Sequence, residues 1–112
     1  MSRMIDIRSK ITNQLPVIQI TDEIVVTVNN RKSNILKVQA FVIEQEKRAK
    51  KNSNEFDEVK FMNEVLTMLI GEKNAKAIED LDLPLPDYKT IYEEIMKAAT
   101  GEHEHEGNRF QK

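Results

Sequence analysis

The sequence predicts an α+β, mostly helical fold: an N-terminal β-hairpin at about residues 16–29, four helices at about 34–50, 55–70, 74–81 and 87–99, and a mobile C-terminal tail. Three observations predict it. Two short runs near the N-terminus are rich in β-branched residues. Apolar residues then recur at helical spacing from Ile35 onward. Polar residues, glycine and proline fall between these segments, where a chain turns.

The first run is Pro16-Val17-Ile18-Gln19-Ile20-Thr21 and the second is Glu23-Ile24-Val25-Val26-Thr27-Val28. Branching at Cβ suits a pleated surface better than a helix. Ile24, Val26 and Val28 share one face, and Asp22-Glu23 sits at the turn. A lone two-stranded hairpin is marginal in water, so this one must rest on helices or on a partner.

Asn29-Asn30-Arg31-Lys32-Ser33 is a polar break, after which Ser33 or Asn34 can cap a helix. Leu36-Lys37-Val38-Gln39-Ala40 alternates as a strand would. However, Ile35, Val38, Val42 and Ala49 also line one helix face, and Leu36, Ala40 and Ile43 a second. The continuation through Lys51 consists of good helix formers, acidic residues before basic ones, which favours a helix over 34–50.

Asn52-Ser53-Asn54 offers a turn and another cap. Glu55, Asp57 and Glu58 place negative charge in the first turn of the next helix. Phe56, Val59, Met62, Leu66, Leu69 and Ile70 form its stripe, and Gly71 ends it. A short helix over 74–81 turns Ala77, Ile78 and Leu81 inward. Leu83-Pro84-Leu85-Pro86 stops it and serves as a connector. Asp87 can cap a last helix with Tyr88, Ile91, Tyr92, Ile95, Met96 and Ala99 at i, i+3, i+4, i+7 spacing.

A chain of 112 residues suits one domain, placed at residues 1–100, with 101–112 as a polar, acidic tail that has almost nothing apolar to bury. The 17 basic and 19 acidic residues give a net charge of -2, without the broad basic field of nucleic-acid binders. Lys47-Arg48-Ala49-Lys50-Lys51 is the one basic cluster, and no aromatic residues interleave with it in sequence. No run of apolar residues approaches a membrane span, and the first residues do not resemble a secretory signal.

Cysteine is absent, which excludes thiol catalysis and disulfides. The two histidines, His103 and His105, lie in the acidic tail, where a metal site would lack a fixed geometry and supporting groups. No phosphate-binding glycine loop is present; the glycines are Gly71, Gly101 and Gly107. The expectation is a protein that is not an enzyme, with no cofactor and no metal. Phe61, Val65 and Met68 add apolar surface beyond the main stripe of the second helix, more than a domain this small is expected to cover. That points to a protein partner or to self-association.

Three segments carry a family resemblance. They are Val26-Thr27-Val28-Asn29-Asn30 leading into Asn34-Ile35-Leu36-Lys37-Val38-Gln39-Ala40, then Met68-Leu69-Ile70-Gly71-Glu72-Lys73-Asn74-Ala75-Lys76-Ala77-Ile78-Glu79-Asp80-Leu81, then Asp87-Tyr88-Lys89-Thr90-Ile91-Tyr92-Glu93-Glu94-Ile95-Met96. In order and spacing the chain resembles the tail assembly chaperones of long-tailed bacteriophages, of the type found in siphophages of Gram-positive hosts.

The resemblance implies a non-catalytic factor that binds and solubilises the long, helical tape measure protein and assists polymerisation of the tail tube around it. It implies work in the cytoplasm of the infected host and absence from the mature virion. A longer, frameshifted form, where one is made, recruits the tail tube protein; this chain corresponds to the short form. Neither nucleic acid nor membrane is an expected partner. Phe61, Val65, Met68, Leu69, Tyr88 and Tyr92 are the candidate partner-binding residues, with ordinary core packing as the competing reading of each. The alternative function is a small dimeric DNA-binding regulator, with the hairpin dimerising and residues 34–70 reading DNA.

Overall fold

The computed structural model describes residues 4–11, 13–52 and 56–101. The tail expected at 101–112 lies outside them beyond Gly101, together with His103 and His105. A two-stranded antiparallel hairpin is followed by four helices, as the sequence predicts. A single 3-10 turn, Arg8–Lys10, precedes the hairpin.

Strands β1 (Val17–Gln19) and β2 (Val25–Thr27) pair with Ile18 opposite Val26. Backbone bonds from Val28 N–H to the Pro16 carbonyl and from Ile20 N–H to the Ile24 carbonyl, each 2.8 Å, extend the ladder at both ends. The Thr21 hydroxyl accepts from the N–H groups of Glu23 and Ile24 and fixes the turn. Val26 and Val28 face inward and are buried, with Ile18, Ile20 and Ile24 packed beside them. The hairpin therefore rests on helices of its own chain.

Helix α1 (Lys32–Lys51) begins before the expected cap. Arg31 is its N-cap and makes no side-chain capping bond; Ser33 and Asn34 lie within the first turn. The amide of Asn34 is used elsewhere: Nδ2 donates to the Asn29 carbonyl at 2.8 Å and to the Met68 carbonyl at 2.9 Å. Of the two apolar faces on α1, the one with Ile35, Val38 and Val42 turns toward the core. The face with Leu36, Ala40 and Ile43 is left to solvent.

Helix α2 (Glu58–Ile70) starts three residues later than residue 55, because Asp57 is its cap and not a first-turn residue. The Asp57 carboxylate accepts from Lys60 N–H at 3.1 Å. Phe56, just before the cap, meets Phe61 with ring centroids 5.7 Å apart. That contact between the residues flanking the first turn is a hydrophobic staple.

Helix α2 runs through the centre of the fold and packs against α1, α3 (Glu72–Asp80) and α4 (Leu85–Thr100). A helix end inside a core leaves its last four carbonyls in need of donors. Here all four are served. Thr67 receives Gly71 N–H, Met68 receives Asn34 Nδ2, Leu69 receives Asn29 N–H and Ile70 receives Asn74 Nδ2, at 2.7–3.1 Å. Gly71 joins α2 to α3 with φ 91° and ψ 155°, a region open almost only to glycine.

Helix α3 begins directly after Gly71, two residues before the expected start, and buries Ala75 and Ile78 while Ala77 and Leu81 are half-buried. Helix α4 also begins two residues early. Pro84 caps it, and Pro86 in the first turn has no N–H to leave unsatisfied. Asp87 is therefore a first-turn residue favouring the positive helix end and not the cap. Tyr88, Ile95 and Ala99 are buried on its inner face.

Candidate partner-binding surface

The six residues singled out from the sequence separate into two groups. Val65 and Leu69 are core, at 0% and 1% exposed, and Tyr88 is buried with them. Phe61, Met68 and Tyr92 are half-buried and pack on the edge of that core. Phe61 stacks nearly parallel on Phe41 of α1, centroids 5.9 Å apart. The second apolar face of α2 is thus sealed at Val65 and only partly covered at Phe61 and Met68. Val65 is sealed, whereas Leu69 and Tyr88, though buried, line hollows at the surface.

Apolar side chains are left open at the N-terminal segment, on the outer face of the hairpin and on α1. Leu36 and Ile43 are each 54% exposed. Beside them a groove of about 270 Å³ runs between α1 and α4. Ile35, Val38, Val42 and Ile43 form one wall and Met96 and Ala99 the other, with Leu69 also in the lining. Gln39 and Thr100 are its polar members. Ile35, Val38 and Val42 come from the apolar face of α1 that turns toward the core and Ile43 from the outer one, so the groove lies at the edge between the two faces. The sequence shows both faces, and only the packed structure shows which one α2 takes.

A second hollow, about 420 Å³, lies where the end of α1 meets the start of α2. Arg48, Lys60 and Gln45 line it with Asp57, Glu64 and the rings of Phe56 and Phe61. The fold brings aromatic rings beside the basic end of α1, which the sequence order does not. Acids accompany the cations there, and Arg48 is paired with Glu44 at 3.1 Å. The hollow is mixed in charge rather than a phosphate-binding field.

Burial pushes the Tyr88 hydroxyl pKa up; the Asn63 side chain offsets part of the rise and the Glu79 carboxylate adds to it. Tyr92 is pushed up by burial and then by its neighbour Tyr88. At the N-terminal end Arg8 holds the exposed Asp6 carboxyl below its usual range through a side-chain contact. Among the described residues no group of three or more His, Asp or Glu side chains is placed to hold a metal ion. No helix among them is long and apolar enough to cross a membrane.

The described surface thus carries an apolar groove between α1 and α4 and a mixed-charge hollow between α1 and α2. No protein-family model matches the chain, and no curated protein or solved structure matches it.

Proposed function

We propose that this chain is a non-catalytic binding protein that receives an amphipathic helix of another protein in the groove between α1 and α4. The observation that carries the proposal is the open apolar wall of Ile35, Val42 and Ile43 facing Met96 and Ala99. Two helices with apolar facing sides accept a third helix by ordinary ridge-into-groove packing. The methionine supplies an adaptable contact, which suits a client of varied sequence.

The family resemblance supplies the client. As a tail assembly chaperone, the protein coats the tape measure protein in the host cytoplasm, many weak copies along one long helix, and keeps it soluble until the tube polymerises. Avidity along one client then replaces a single tight site. Recruitment of the tail tube protein belongs to a longer form. Co-expression with the very long helical protein encoded downstream tests the reading. A soluble complex that Ile43→Glu weakens is expected. An insoluble client, or a complex indifferent to Ile43→Glu and Leu36→Glu, overturns it.

A further inference from the structure

We propose that the corner where α3 meets α4 docks a cationic segment of a partner protein, a short helix presenting one aliphatic side chain flanked by lysine or arginine. A hollow of about 150 Å³ opens at this corner, lined by Val59, Ile78, Leu83, Leu85 and Tyr88. Val59 and Leu85 are exposed at its lip. Its volume suits one large side chain and not a whole helix face. Among the described residues the buried hydroxyl of Tyr88 makes no well-formed hydrogen bond, although the Asn63 side chain lies beside it.

The rim selects the sign of the partner. Glu79 and Asp82 complete the lining, and Asp87 follows in the first turn of α4. Nearby cations are already engaged: Lys89 pairs with Glu58 at 3.3 Å and Lys76 with Asp80 at 3.7 Å. Among the described residues Asp82 and Asp87 have no ion-pair partner. Glu79 and Asp80 also stand at the C-terminal end of α3, where the helix dipole disfavours negative charge. Glu79 accepts a hydrogen bond from Asn63 Nδ2 at 2.7 Å, a neutral donor that leaves its charge unbalanced. The corner thus joins an apolar socket to the carboxylates of Glu79, Asp82 and Asp87, the complement of an aliphatic anchor set among cations.

The inference does not depend on the α1–α4 groove. The test uses a short helical peptide with a central leucine flanked by lysines, labelled for fluorescence anisotropy. Two controls replace its lysines by glutamates or its leucine by serine. The lysine–leucine peptide is expected to bind at low salt and weaken as salt screens the carboxylates. Both controls bind at least about fivefold more weakly, as does the parent peptide on Asp82→Asn/Asp87→Asn, a loss of the size that surface ion pairs give. Leu85→Ser loses the anchor site at an exposed position, with the fold checked by circular dichroism. Ile43→Glu, in the other groove, leaves binding unchanged. No binding by the lysine–leucine peptide, equal binding by either control, or indifference to the Asp82/Asp87 and Leu85 variants overturns the proposal.

Discussion

The side-chain amide of Asn34, in the first turn of α1, donates to the backbone carbonyl of Met68, in the last turn of α2, at 2.9 Å. The same Nδ2 also reaches the Asn29 carbonyl at 2.8 Å. One side chain therefore ties the hairpin exit, the start of α1 and the end of α2. Removing it leaves a half-buried carbonyl without its donor. Asn34→Ala is expected to cost about 1–3 kcal/mol in urea unfolding. Asn34→Asp, which sets a carboxylate against two carbonyl oxygens, is expected to cost more, although the helix N-terminus welcomes its charge. An aspartate variant as stable as wild type would refute the capping role.

Gly71 tests the backbone alone. Nothing lies within 4 Å of where a Cβ would stand, so Gly71→Ala meets no steric clash. Its φ of 91° with ψ 155° remains, and that conformation costs a residue bearing Cβ about 1–3 kcal/mol. Chemical denaturation is expected to show this loss in full. A neutral alanine would mean that the α2–α3 junction relaxes.

The assignment of core and surface is checked by two truncations. Leu69→Ala empties a fully packed site and is expected to cost about 2–5 kcal/mol. Ile43→Ser removes an exposed side chain and is expected to stay within about 0.5 kcal/mol of wild type. A reversal of that order would show that the groove wall belongs to the core.

The tyrosines set the alkaline limit. Burial raises both hydroxyl pKa values above the unfolded value near 10. Above that pH the unfolded chain loses protons that the folded chain retains, so stability falls as pH rises through and beyond about 10. Tyr88→Phe removes a buried hydroxyl without a well-formed hydrogen bond among the described residues and is expected to be neutral or stabilising at pH 7. It is also expected to flatten the alkaline decline, followed by thermal unfolding between pH 8 and roughly 11.

Element types were legible because periodicity reports them directly. Val26 and Val28 lie two apart and share a strand face; Tyr88, Ile95 and Ala99 recur at helical spacing. Helix starts were less legible because capping is decided by geometry. Asn34 has the composition of a cap, yet its amide is drawn to carbonyls on another helix. Asp57 has the composition of a first-turn acid, yet it closes the cap. The surface was least legible. Val65 and Leu36 are both apolar residues at helical spacing, and only the surrounding elements decide that one is sealed and the other open.

The four carbonyls that end α2 draw their donors from the hairpin exit, from α1, from the α2–α3 junction and from α3. The end of α2 is therefore a keystone: the hairpin exit, α1 and α3 cannot lift away from it without leaving a polar group bare. Opening is driven toward a single concerted event. In native-state hydrogen exchange, the Asn29 and Gly71 amides should report the same opening free energy, although one follows the hairpin and the other joins two helices.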